Sequence, residues 1–237
     1  MAETVAVIDR VLASGSSFPS VVETSTGRRY VLKLSGAGAG KRALATEFVA
    51  LELAKHLGLN VPDAAILDLP REFPWQTGTD EFYEAVQRSA GANLGVAFIT
   101  DAHDLKASEL AALPGQLVAR LATVDALLQN VDRSRANPNI MRDATGAYWA
   151  IDFGACLLIE RLARGATAPQ LALPPNHFLA GDTGVTYSIG EAVAAIDAQC
   201  LQATFAALPA AWLDDFGLAE HELLQRLQAY LDAVRAI

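Results

Sequence analysis

Two hydrophobic periods run along this chain, and the change from one to the other divides it. From Ser20, "SVVETSTGRRYVLKL" gives an apolar run, a polar turn at Thr24 to Gly27 and an alternating run ending at Lys33, which predicts a β-hairpin. In "KRALATEFVALELAKHLGL", Leu44, Phe48, Leu51 and Leu53 to Leu57 fall at helical spacings and Gly58 fits the stop. "NVPDAAILDL" reads as a short strand opened by Pro62, and residues 70–92 are mixed, with Pro70, Pro74 and Gly78 interrupting any long element. "LGVAFITDA" reads as a buried strand running into a linker. Beyond residue 105 the period is helical: "LPGQLVARLATVDALLQN" places Leu117, Leu121, Val124, Leu127 and Leu128 on one face. Two short strands follow, in "NIMRDATG" and "AYWAIDFG", joined by a turn at Asp143 to Gly146. Residues 160–184 are rich in Ala, Pro and Gly and too long for an ordinary loop, which predicts a mobile or substrate-facing segment with few anchors. "IGEAVAAIDAQCLQATFAAL" and "AEHELLQRLQAYLDAVRAI" read as closing helices. The pattern is α+β in two lobes, a small β-rich lobe over 1–99 and a mainly helical lobe over 100–237, with no internal repeat.

Composition narrows the function classes. The 237 residues suffice for a real core, and 52% hydrophobic with 19% charged content argues against disorder. A net charge of -9 disfavours a general nucleic-acid binder, which needs a basic surface to neutralise phosphates. Cys156 and Cys200 are too few for a disulfide scaffold and form no C-x-x-C pair. The N-terminus lacks the basic region of a signal peptide, and no apolar run approaches membrane-spanning length. These features predict a cytoplasmic protein without a membrane partner.

The glycines of "SGAGAGKR", Ser35 to Arg42, raise the question of a phosphate loop. A Walker A motif would need Gly at position 35 and Ser or Thr at 42, and the even spacing of Gly36, Gly38 and Gly40 breaks the dinucleotide pattern. Stronger chemistry flanks them. Lys33 ends a strand, Asp132 follows a helix with Asn137 beyond it, and Asp152 opens "DFG" at a strand end. Phosphoryl transfer asks for such a set: a cation on the nucleotide phosphates, a carboxylate near the acceptor hydroxyl, and an Asn and an Asp to hold Mg²⁺. The D-x-x-x-x-N spacing of "DRSRAN" is that of a protein-kinase catalytic loop, with "DFG" after a short hairpin as there. Singly, each residue has a plainer reading: Lys33 as a solvated edge charge, Glu47 as a water-facing helix residue, Asp132 as a helix terminus, Asn137 and "DFG" as turn formers. Jointly, their order, spacing and settings agree. The scattered His56, His103, His177 and His221 have no metal-site spacing, and no G-x-S-x-G nucleophile motif is present.

The words "GRRYVLKLSGAGAGKRALATEFVALELAKHLGLNVP", "SAGANLGVAF", "DALLQNVDRSRANPNIM" and "WAIDFGACL" resemble, in order, those of the HipA-like kinases, in particular the compact stand-alone domain. The resemblance covers roughly residues 10–160, and "NVDRSRANPN" is its most specific word. It implies a two-lobed protein-kinase-like fold and an ATP- and Mg²⁺-dependent kinase acting on a Ser or Thr hydroxyl of a protein. In that frame Lys33 is similar to the ATP-phosphate lysine, Glu47 to its helix partner, Asp132 to the catalytic base, and Asn137 and Asp152 to the Mg²⁺ ligands. Ala97, Phe98 and Ile99 fall where a hinge strand offers backbone groups to adenine, and "SGAGAGKR" matches the loop between lysine strand and first helix. That loop either closes over nucleotide or substrate or lends flexibility to the connection.

Departures are specific. Asn130-Val131 replaces the His-Arg that precedes the catalytic Asp in ordinary kinases, which argues against regulation through an Arg-gripped activation-loop phosphate. The nucleotide-covering loop "ASGSSFPS" carries only Gly15, with the hydroxyls of Ser16, Ser17 and Ser20 nearby. The chain has no room for the additional N-terminal subdomain of full-length HipA toxins. The implied partners are ATP, a protein or small-molecule hydroxyl acceptor and an antitoxin-type protein, without direct nucleic-acid binding. A small-molecule or peptide-tailoring kinase and a non-catalytic nucleotide-binding pseudokinase are the alternative readings on the same fold.

Overall fold

The computed structural model describes residues 3–12, 17–74, 78–181 and 189–237. Five strands form a closed barrel: β1 (Glu3–Val11), β2 (Ser20–Thr24), β3 (Arg29–Lys33), β4 (Ala64–Leu69) and β5 (Gly91–Ala97), in the order β1-β2-β3-β5-β4. A parallel pairing of β1 with β4 closes it at Glu3 with Leu67 and Thr4 with Asp68. The β2–β3 hairpin turns at Gly27, whose φ of 79° suits a residue without a Cβ. β1 is absent from the hydrophobic alternation because its register slips between Val5 and Val7 and again between Ile8 and Arg10, so Val5 and Ile8 are buried three positions apart.

Two helices interrupt the barrel strands. α1 (Gly40–His56) lies between β3 and β4, and α2 (Asp80–Arg88) between β4 and β5. α2 starts within the stretch the sequence marks as broken: Thr79 Oγ1 accepts from Phe82 N–H at 3.3 Å, and Phe82, Ala85 and Val86 face inward. After β5 come β6 (His103–Asp104), the long α3 (Gly115–Leu128), β7 (Ile140–Arg142) and β8 (Tyr148–Ala150), the three strands forming a small antiparallel sheet. α4 (Leu158–Ala163), α5 (Ile189–Ala194), α6 (Ala198–Ala206), α7 (Ala210–Leu213) and α8 (Glu220–Arg235) complete the chain. The expected single helix near residues 189–207 is two, because Asp197 caps a new start by accepting from Cys200 N–H at 2.6 Å.

The apolar core has two parts. One fills the barrel, where Leu67, Tyr30, Leu32 and Val22 meet; Gly95 leaves the space for Leu67, since a Cβ there would stand 2.5 Å from its Cδ1. The other joins α1 to the helical half, from Leu44, Phe48 and Leu51 to Trp212, Leu227 and Tyr230. No helix among the described residues is long and apolar enough to cross a membrane.

The β7–β8 turn rests on Asp143. Its Oδ1 accepts from the Thr145 hydroxyl at 2.6 Å and its Oδ2 from the Trp149 indole N–H at 2.8 Å, and these bonds hold the carboxyl down at about 2. A lowered folded value adds stability above the unfolded pKa and forfeits it as pH falls through the folded one. A carboxyl-resolved NMR titration is therefore expected to find Asp143 still ionised at pH 3, and Thr145→Ala is expected to move its midpoint up.

Candidate active site

Lys33 closes β3 facing α1, and Glu47 stands two turns into that helix. Lys33 Nζ donates to both Glu47 oxygens at 2.7 Å each and to Asp152 Oδ1 at 2.8 Å, so all three ammonium protons are committed. Exposure rises along this chain of charges, from 2% at the Glu47 side chain through 13% at Lys33 to 48% at Asp152. Burial works against a charged Lys33, but Glu47 and Asp152 together outweigh it and hold its pKa above the ordinary value. Burial pushes the Glu47 carboxyl up against the pull of Lys33. At Asp152 burial is outweighed by Lys33, and the carboxyl sits below its usual range. Two carboxylates share one ammonium, and the exposed Asp152 end of the cluster therefore favours a cation.

Backbone geometry sets the Asp152 end. Asp152 has φ 56°, in the left-handed region, and Phe153 is fully buried with the Arg133 guanidinium 5.0 Å from its ring centre. Gly154 passes beside Glu47: a Cβ would lie 3.3 Å from Glu47 Oε2, so a side chain here would press on the carboxylate.

The loop after α3 forms the other half. Asp132 Oδ2 accepts from the side-chain amides of Asn137 at 2.8 Å and Asn139 at 3.0 Å, while Asp132 N–H donates to Asn130 Oδ1 at 3.2 Å. Arg133 turns inward and is fully buried, donating through Nε to Asp125 Oδ2 at 2.6 Å and through Nη1 to the carbonyls of Pro138 (2.9 Å) and Asn139 (2.6 Å). Asp125, on α3, also receives Asn130 Nδ2 at 3.0 Å and His177 Nε2 at 3.0 Å. Leu179 N–H donates to His177 Nδ1, which places the imidazole proton on Nε2, toward Asp125. A buried guanidinium is thus paired with a buried carboxylate that also receives Asn130 and His177, while Arg133 Nη2 is buried with no hydrogen-bond partner among the described residues. Ile151 N–H donates to Asn139 O at 3.0 Å, which joins this loop to the residue before Asp152.

The remaining sequence candidates distribute as follows. Ala97 N–H donates to Asp63 O at 2.8 Å and Phe98 N–H to Arg29 O at 3.1 Å, so neither amide is free for adenine. Ile99 N–H and Phe98 C=O have no partner among the described residues. Phe98 also carries the guanidinium of Arg29 4.5 Å from its ring centre. Gly15 and Ser16 lie outside the described residues. Ser17 lies against the glycine stretch: a Cβ on Gly38 would stand 3.1 Å from Ser17 Cβ. The stretch itself is pinned, with Ser35 N–H on Asn93 Oδ1 (2.7 Å) and Gly36 N–H on Ser89 Oγ (2.8 Å). Gly36 passes so near α2 that a Cβ would come within 2.7 Å of Arg88 Cβ. A cavity of about 520 Å³ bounded by Lys55, Val61, Phe98 and Trp149 is separate from the charged cluster, as neither Lys33 nor Asp152 lines it.

The expectation of a weakly anchored segment over 160–184 is corrected for its described part, residues 160–181. Gln129 Nε2 donates to the carbonyls of Gln170 and Ala172 at 2.9 Å each, Asn176 Nδ2 to Val131 O, and His177 is buried against Asp125. The anchors come from the loop after α3 rather than from the segment's own Ala, Pro and Gly, so composition did not reveal them. Amide exchange at Phe178 and Leu179, which donate to Arg133 O and His177 Nδ1, is expected to be slow without any ligand. Sequence reasoning also missed Asn139, Arg133, Asp125 and His177; the pair of asparagines around Pro138 was the one local signal.

The ion cluster makes a stability prediction. Lys33→Met strands Glu47, which can escape by taking up a proton, so the loss is expected to be about 2 kcal/mol, below that for an isolated buried charge. Adding Glu47→Leu is expected to return most of that stability in urea melts, without returning activity. Two independent, additive losses would show that the pair is not coupled.

Among curated protein sequences none matches this chain. A family model described as HipA-like kinase matches residues 5–231. Among solved structures, a proinflammatory kinase of Helicobacter pylori, CtkA, superposes with a TM-score of 0.60 at 14% identity, over 100% of this chain and 97% of that one. A MAP kinase of Leishmania major aligns over 93% of this chain and 61% of its own at 11% identity, with a TM-score of 0.28 that carries no argument. At these identities the likeness speaks for the fold, an α+β kinase-like one.

Proposed function

The chain belongs to the HipA-like kinase family, and from that membership and the site geometry we propose that it is an ATP- and Mg²⁺-dependent kinase that phosphorylates a Ser or Thr hydroxyl of a protein. One observation carries the reading. Lys33, Glu47 and Asp152 form a single ion cluster, and the Asp132–Asn137 loop is tied through Asn139 to the strand that delivers Asp152. The plainer readings of these residues, as unrelated edge charges and turn formers, give no reason for that convergence.

In this reading Lys33 turns from Asp152 to the nucleotide phosphates while Glu47 keeps its ammonium in place. Mg²⁺ fits the donor set, since Asp152 is half exposed and the Asn137 side-chain oxygen has no partner among the described residues, and both offer hard oxygen donors. Bound by these two residues, it would neutralise charge on the transferred phosphoryl group. Asp132 Oδ1 has no partner among the described residues, whereas Oδ2 is fixed by two asparagine amides. Asp132 Oδ1 accepts the proton of the acceptor hydroxyl as its oxygen bonds to the γ-phosphorus, and the bond to the β,γ-bridging oxygen breaks to release ADP. Of the hinge amides, Ile99 N–H is the one left to recognise adenine.

The test is incubation with ATP labelled in its γ-phosphate, together with a mixed protein acceptor pool. Label in base-labile, acid-stable phosphoester on Ser or Thr is the expected outcome. Label only in small molecules would move the acceptor class, and nucleotide left unconsumed and unbound would end the reading.

A further inference from the structure

α1, the helix that carries Glu47, is buried on all sides rather than along one face: each residue from Leu44 to Leu51 is buried. The inner side meets the barrel. The outer side meets α7 and the turn after it, at Asp214 to Phe216. Two polar contacts hold this arrangement. Arg42, in the first turn of α1, donates through Nε to Asp215 O at 2.8 Å and through Nη2 to the same oxygen. Its Nη1 lies 3.3 Å from Glu160 Oε1, and its guanidinium sits 5.4 Å from the Phe216 ring centre. Trp212, 1% exposed, donates its indole N–H to Ala92 O of β5 at 3.2 Å. The segment Ala210–Phe216 therefore grips both the barrel and the helix of Glu47.

The stretch directly after Gly154 is poor in hydroxyls. From Ala155 to Ala166 it contains no Ser, Thr or Tyr, and the first hydroxyl is that of Thr167. It is already laid on the Asp132 loop, through Leu157 N–H to Gln129 O at 3.1 Å and a bridge between Asn130 and Cys156.

We infer that Ala210–Phe216 is a built-in clamp that fixes α1, so that Arg42 and Trp212 are positioning residues for the Lys33–Glu47 pair, which is assembled in the unmodified chain. The inference rests on the kinase reading for its consequence in catalysis, but the clamp itself is a property of the free protein. Arg42 suits the test because its side chain is 46% exposed, so replacing it leaves no cavity.

Arg42→Met is expected to speed amide exchange at residues 43–49 by about fivefold or more, with exchange in α3 unchanged and Tm lowered by less than about 3 °C. Arg42→Lys, which keeps a cation and one donor, is expected to recover part of the protection. In turnover, Arg42→Met is expected to lower kcat/KM about tenfold in the wild-type background and less than about twofold in Glu47→Gln, because the effect runs through Glu47. Unchanged exchange at residues 43–49 overturns the clamp. An equal loss of turnover in both backgrounds overturns the route through Glu47. Failure of the kinase reading looks different: no turnover by the wild type, with exchange in α1 still responding to Arg42→Met, which supports the clamp.

Discussion

Asp132→Asn is expected to lower phosphotransfer by about 10²–10⁴ while ATP affinity stays within a few-fold, the span a positioned general base contributes. The substitution is close to isosteric. Its remaining carbonyl oxygen can still accept from the amides of Asn137 and Asn139, so the loop that Arg133 anchors keeps its shape. What is lost is the second carboxylate oxygen, which has no partner among the described residues and faces no other task in the fold. Because Lys33 bonds to Glu47 and Asp152 while Asp132 bonds to Asn137 and Asn139, nucleotide binding has little reason to change. Rapid-quench turnover paired with ATP titration separates the two quantities. A variant that transfers phosphate at the wild-type rate would leave Asp132 as a loop-forming residue only.

Elements whose signal is local were legible in the sequence. The β2–β3 hairpin, α1, α3 and the β7–β8 turn each carry their own period and stop residues, and they stand where the pattern put them. β1 was not legible, because two register slips break the alternation that marks a strand. Nor was α2, a nine-residue helix whose Thr79 cap is embedded among Pro74 and Gly78. The site divides in the same way. Lys33 and Asp152 were singled out by order and setting and Glu47 through the family resemblance, and the three side chains meet although Lys33 and Asp152 are 119 positions apart. Arg133, Asp125 and His177 were not found, since full burial of a guanidinium runs against the habit of the residue and depends on partners from three segments. The hinge amides illustrate a subtler loss: a strand end can be placed from sequence, but whether Ala97 N–H is already spoken for by Asp63 O cannot. The association of α1 with the C-terminal helices, through Trp212 and Phe216, likewise follows from packing that no local period announces.

If Asn137 and Asp152 serve one Mg²⁺–ATP site, as proposed, a thermal melt of wild type and Asp152→Ala registers it without knowledge of the acceptor. At a concentration about a hundredfold above Kd, Mg²⁺ and ATP together should stabilise the wild type by roughly 2.7 kcal/mol, a rise in Tm of about 5–10 °C for a chain of this length. ATP in chelator should give a much smaller rise, and Asp152→Ala should lose most of the Mg²⁺-dependent part while retaining a cooperative melt. A shift of equal size with and without Mg²⁺, or none with millimolar ATP, would contradict the account and leave Asn137 and Asp152 as turn residues beside an ion pair.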